Sequence, residues 1–323
     1  MNSNKILRTL SLFTIAFCAV ATLFFIDFSV IADRLRAIDF EPSAEMSTLM
    51  NNLDLTGRAD LIIRASHPTL EDSETFNRAC GSTNPEVSIL GCYTGGYIYI
   101  YDIDSSELAG IHESTLAHEF LHAAWDRLST LDQDRLHTDL QIVYDDNFST
   151  LEPRLSLYST DDFFNELHSI VGTEFANLPD SLEAHYAHFF TNQDAIVAFY
   201  DAYSVKFHEL RNQADALYEQ IQDNQALIDA KTINYNDAFQ ELDTAIVDFN
   251  RRANSGYFTS QSAFQAERNT LIAKQSALET LYNEISTLTA TTNTLIDEYN
   301  ANIARTQRLI DSINSNTRTA PEL

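Results

Sequence analysis

From Ser181 to Ala320 the chain contains no proline and a single glycine, Gly256. Those two residues stop or kink helices, so a stretch this long without them, rich in Ala, Leu, Gln, Glu and Asn, is committed to long helices with one break. Within it Ala214, Ile221, Ile228, Tyr235, Leu242 and Phe249 recur every seventh residue, with Leu217, Phe239 and Ile246 filling the intervening seam. After Asn254-Ser255-Gly256 the pattern resumes with Phe264, Leu271, Leu278, Ile285 and Tyr299 in one row and Leu281, Leu288 and Leu295 in the other. Sevenfold spacing is the signature of coiled-coil packing. Two helices of about 50 residues joined by a glycine turn predict an antiparallel hairpin over 205–316, about 70 Å long. Lys231, Asn224 and Thr292 interrupt the seam and leave room for a register shift, a coiled-coil partner or a second copy of the chain. Residues 317–323 read as a frayed, disordered tail.

The other seven glycines and five of the six prolines precede residue 180, and seven of the nine histidines fall between His112 and His188. Titratable chemistry and long helices thus occupy different parts of the chain. Residues 61–66 (LIIRAS) read as a short strand and 96–103 (GYIYIYDI) as a better one, with Tyr97, Tyr99 and Tyr101 alternating against Ile98 and Ile100. Helical spacing follows over Glu113–Leu128, around Leu136, Leu140 and Val143, and from near Thr160 to a stop at Gly172, a residue suited to the left-handed position after a helix. A few strands followed by several helices predict an α+β domain over 34–204. The net charge of −27 repels phosphate backbones and excludes nucleic acid as a partner.

Lys5 and Arg8 precede an apolar run, Leu10–Ile26, long enough to span a bilayer with the basic flank in the cytoplasm. Residues 1–33 are therefore expected to be a transmembrane anchor that leaves the rest of the chain outside the cell membrane. The rival is a cleavable signal peptide, since Val30 and Ala32 satisfy the small-residue rule before a cut. Both readings imply export. In an oxidising compartment Cys80 and Cys92 are expected to pair, which contributes roughly 3 kcal/mol in the chain-entropy model.

The strongest local signal is His118-Glu119-Phe120-Leu121-His122 on a predicted helix. Residues four apart stack one turn above each other, so both imidazoles face one metal, while Glu119 sits beside them to handle a proton. The segment after His122, AAWDRLS, lacks the glycine and third histidine of the metzincin version, which excludes that class. Asp126 lies on the same face but too far along to share the ion, and is expected to orient a histidine. A third ligand must come from elsewhere, and Asn165-Glu166-Leu167-His168-Ser169 on a later helix is the best source.

In these two motifs the sequence resembles the gluzincin class of zinc metallopeptidases over roughly residues 60–200. That class takes a glutamate ligand from a second motif on a later helix, here Glu166, with the small Ser169 one turn on permitting close helix packing. Ile170 stands where the class often has an acidic residue, which keeps Glu174 and His168 as rivals for the third ligand. The resemblance implies a zincin-like fold, Zn²⁺ as cofactor, a peptide or protein substrate, and Glu119 as general base. It also implies a donor for the oxyanion, which Tyr186, with His185 and His188 beside it, is placed to supply, and a peptide-binding strand edge at GYIYIYDI.

The sequence thus predicts a membrane-anchored, outward-facing zinc peptidase followed by a helical hairpin. The competing class is an envelope structural protein whose zincin-like domain is inactive and whose coiled coil does the work. A purely structural zinc calls for a closed four-ligand site, and no cysteine lies near enough in sequence to complete one.

Overall fold

The computed structural model describes residues 28–81, 89–156, 158–160 and 162–315. The apolar run Leu10–Ile26 and the tail 317–323 lie outside them; among the described residues no helix is long and apolar enough to cross a membrane. The chain divides into two compact units, one comprising the residues up to Lys206 together with those from Ile310, the other Phe207–Leu309.

In the first unit, helices α1 (Phe28–Ala37), α2 (Ala44–Asn52) and α3 (Gly57–Ala65) precede β1 (Thr69–Glu71), α4 (Ser73–Cys80), β2 (Gly91–Thr94) and β3 (Tyr97–Tyr101). Then come α5 (Ile111–Trp125), α6 (Thr130–Asp146), α7 (Phe148–Leu155), α8 (Phe163–Glu174), α9 (Asp180–Tyr186) and the start of α10 (Gln193–Asn254). The sheet runs β1-β3-β2, with β1 parallel and β2 antiparallel to β3. Ile98 and Ile100 of β3 are fully buried, as the alternation predicts. Central α5 is buried along most of its length, with Leu116, Ala117, Phe120, Leu121 and Ala123 shielded from solvent against Leu167, Ile170 and Val171 of α8. Helix α1 is held by buried Asp33, which accepts from Arg127 and pairs with Arg58. Cys80, the last residue of α4, is bonded to Cys92 in β2.

Two local expectations are corrected. LIIRAS is not a strand but belongs to α3: Thr56 caps that helix by accepting from the Ala59 N–H, and Asp60 pairs with Arg64 one turn on. Ala59, Ile62 and Ile63 bury one helical face, so capping and a 3.6-residue period prevail over the β-propensity of two isoleucines. Gly172 does not follow a helix but lies inside α8, where a Cβ would come within 2.5 Å of both Leu121 Cδ1 and Tyr186 Cε1. A side chain there would hold α5 and α9 away from α8.

The second unit lies within α10 and α11 (Gln261–Ile313), joined by a turn with Gly256 at φ 74°. The helices pair antiparallel: Tyr235 meets Tyr282, Tyr218 meets Tyr299, and Lys231 Nζ lies 2.7 Å from Glu284. Leu210, Ala214, Leu242, Phe249, Leu278 and Leu309 are buried in the seam. Phe239 and Ile246 are not in it, a further correction; they are exposed, and Ala238 and Ala245 take the inward positions. Counting in sevens from Leu217 reaches those alanines, and the large side chains one residue on are turned about 100° away. Buried Thr292 returns its hydroxyl to the Leu288 carbonyl within α11, and Asn302 donates across the seam to Gln213, a polar contact that fixes the register.

Candidate metal centre

Helix α5 sets His118 and His122 one turn apart, with their Nε2 atoms 3.1 Å from each other. From α8, Glu166 directs Oε1 to 3.5 Å from His118 Nε2 and Oε2 to 3.4 Å from His122 Nε2. The three side chains form the one group among the described residues able to hold a metal ion. Their donor separations fit such an ion: tetrahedral bonds of about 2.0–2.1 Å set ligand atoms roughly 3.3–3.4 Å apart. His122 Nδ1 lies 2.9 Å from Asn165 Oδ1, a contact that fixes the ring and turns Nε2 toward Glu166 and His118.

Burial alone would lower the His122 imidazolium, but its hydrogen bond to Glu166 and the charges of Glu119 and Glu166 raise it to about 9. Burial would raise Glu166, yet His118 and His122 hold it well below the ordinary carboxylate range. The protein has thus assembled an anionic ligand and cation-seeking imidazoles in a desolvated place, a distribution of charge that a metal ion completes.

Glu119 is buried beside the trio and its carboxyl is shifted upward, by burial first, against the opposing pull of His122 and His118. Its carboxylate accepts the Tyr93 N–H of β2. That strand approaches so closely that a Cβ on Gly91 would fall 2.7 Å from Glu119 Cγ and from Thr115 Cγ2. The missing side chain at Gly91 therefore lets the sheet hold Glu119 in place.

Around these groups lies a cavity of about 620 Å³. It is lined by Ile89–Tyr93, by His118, Glu119 and His122 of α5 with Glu166, and by Arg154, Tyr158 and Asp162. Arg154 makes two 2.6 Å bonds to the Glu174 carboxylate. Tyr158 lines the cavity too, its phenol shifted upward by partial burial first and then by the Glu166 charge.

Several expected roles change. Glu174, the rival third ligand, is neither solvated nor near the trio's ligand atoms; it ends α8 facing Arg154. His168, the other rival, is fully buried with Nε2 2.9 Å from His185 Nε2, away from the cavity. Tyr186, expected as the oxyanion donor, is fully buried too and donates to the His168 carbonyl at 2.8 Å. Neither it nor His185 nor His188 lines the cavity, because α9 packs behind α8. Asp126 sits beside the Tyr93 hydroxyl, and Asn165 orients the histidine instead. Nor does GYIYIYDI offer a free edge: β3 is central, and β2 is the edge strand bordering the cavity.

The residues not anticipated in these roles are Tyr158, Arg154 and Gly91. Asn165 adjoins Glu166 in sequence, and that adjacency was its signal. No protein-family model, curated protein or solved structure matches this chain.

Proposed function

We propose that the first unit is a zinc-dependent peptidase of the gluzincin type, held at the outer face of the cell membrane by the Leu10–Ile26 segment. The observation that carries the reading is the His118–His122–Glu166 trio with buried Glu119 beside it, open to a cavity bordered by an edge strand. Zinc held by the trio supplies Lewis acidity toward water and toward a peptide carbonyl. Glu119, with its raised proton affinity, takes the proton of the attacking water and returns it to the departing amine. The Tyr158 hydroxyl, which lines the same cavity, donates to the oxygen that gains charge. An extended peptide lies in the cavity alongside edge strand β2. The Cys80–Cys92 bond supports an extracytoplasmic location, because such bonds persist where thiols are not kept reduced.

Glu119→Gln tests this reading. The variant should bind zinc as the wild type does, keep its helicity, and lose about 10²–10⁴-fold in peptide hydrolysis. A wild-type protein that binds one zinc yet cleaves nothing in a diverse peptide library would instead make the first unit an inactive scaffold, with the hairpin as the working part.

A further inference from the structure

Helix α1 is amphipathic in the inverted sense. The side it turns to the protein is polar: Asp33 is buried against Arg127 and Arg58, Ser29 accepts from Arg58, and Arg36 donates to the Gly96 carbonyl at 2.6 Å with its guanidinium over the Tyr97 ring. The side it turns outward is apolar. Ile31, Leu35 and, just past the helix, Ile38 are spaced by four and three residues and so share one face, and they are 44%, 65% and 72% exposed. A helix on a water-covered surface has the opposite arrangement, with its apolar stripe toward the core. Leu131 and Ile142 of α6 are exposed too, but each stands alone with an aspartate one turn away and calls for no cover.

The sequence just before α1 identifies what covers its outer face. Leu10–Ile26, the apolar run expected to span the membrane, lies outside the described residues, and only Asp27 separates it from Phe28, where α1 begins. Two residue steps reach no more than about 7 Å, so a span that ends at Ile26 delivers α1 to the lipid–water boundary. The buried ion pairs then fix which way α1 faces. Turning its polar side to solvent would strip Asp33 from both arginines, whereas leaving it in place presents Ile31, Leu35 and Ile38 to whatever lies outside.

We infer that the outward face of α1 is seated in the bilayer surface, with Ile31, Leu35 and Ile38 in the lipid and exposed Arg34 and Asp39 at its rim. A side chain as long as Arg34 lies along apolar surface while its charged end reaches the headgroups. The inference rests on Leu10–Ile26 being the membrane segment of the proposed peptidase, and adds to that reading a fixed seating of the first unit. Arg127, which holds Asp33, also donates to the Ala123 carbonyl of α5 at 2.6 Å and to the Tyr93 hydroxyl of β2 at 3.4 Å. The bilayer contact is thereby joined to the helix and the strand that border the metal centre.

Nitroxide labels on single cysteines test the seating in the full chain carrying Cys18→Ser, whose other two cysteines are bonded to each other. The positions are Ile31→Cys, Leu35→Cys and Ile38→Cys, with Leu131→Cys as the aqueous reference; all four replace exposed side chains, so helicity should be unchanged. In phosphatidylcholine vesicles the three labels near α1 should collide with oxygen, relative to a water-soluble nickel chelate, several-fold more often than the label at 131, because oxygen concentrates in lipid and the chelate in water. A chain that floats with the vesicles while its α1 labels match the label at 131 would overturn the seating and leave the anchor standing. Labels shielded from oxygen and nickel alike would put protein on this face and overturn the seating too. A chain that does not float with the vesicles would overturn the anchor, and the seating with it.

Discussion

Glu166 and Glu174 are eight residues apart on one helix and differ in everything that decides metal binding. Glu166 points both oxygens at imidazole nitrogens, whereas Glu174 is committed to the Arg154 guanidinium. Glu166→Ala should therefore lower zinc affinity by more than about 100-fold, the loss of one ligand of three. Glu174→Ala should hold zinc affinity within a few-fold. Its cost is to stability, about 1–2 kcal/mol: the arginine left behind is two-fifths exposed and can turn to solvent, which reduces the penalty of a broken buried pair. A competition titration against a chromophoric chelator, with thermal melts of both variants, separates the two; a greater zinc loss in Glu174→Ala would contradict the assignment. At this scale the sequence was most legible where geometry is local. His118, Glu119 and His122 follow from the pitch of one helix, and Glu166 from the cost of burying an unpaired carboxylate among Phe163, Leu167 and Ile170. Tyr158 lies in a short connection between α7 and α8 with no periodicity around it, and only tertiary packing brings it over Glu166.

Whole elements were legible where the side-chain period is clear, as in β3 and α5, and where a cap adds to it, as Ser129 does for α6. Gly172 shows where a residue's identity was read correctly and its reason was not. Glycine has two uses, a left-handed backbone and a close approach, and a sequence alone does not separate them. In α8 it is the second: replacing it with alanine adds helix propensity of about 0.8–1 kcal/mol, yet drives a methyl to within 2.5 Å of Leu121 and of the Tyr186 ring. Overpacking of that kind costs roughly 1–3 kcal/mol, and here the neighbours are fully buried with little room to yield. Gly172→Ala should thus lower the melting temperature, by about 5 °C for a net loss near 2 kcal/mol. An unchanged or raised midpoint in calorimetry would mean that α5 and α9 can part from α8 freely. The same contact explains why Tyr186 is unavailable for catalysis, since its ring forms part of the wall against which α8 is set.

Across the molecule, the chemistry and the long helices are separate in sequence and in compactness. Every group in the proposed mechanism precedes Lys206, and the hairpin unit, Phe207–Leu309, contributes no cavity-lining residue. The chain nevertheless returns to the first unit after the hairpin: Asn77 donates to the Ser315 carbonyl at 2.7 Å, and the Ser315 hydroxyl bonds Asn77 Oδ1 at 3.0 Å. The hairpin is therefore an insertion with both ends rooted in one unit, a relation that composition foretold only in part, because the return of Ser315 to Asn77 has no periodic signal. Antiparallel helices enter such a hairpin side by side, about 8–10 Å apart, a gap that a five-residue Gly/Ser linker spans with slack. Replacing Phe207–Leu309 by that linker, with Ile310–Ser315 retained, should leave a cooperatively melting protein whose zinc affinity is within about three-fold of the full chain. Loss of zinc binding together with cooperative melting would show that the hairpin supports the metal unit.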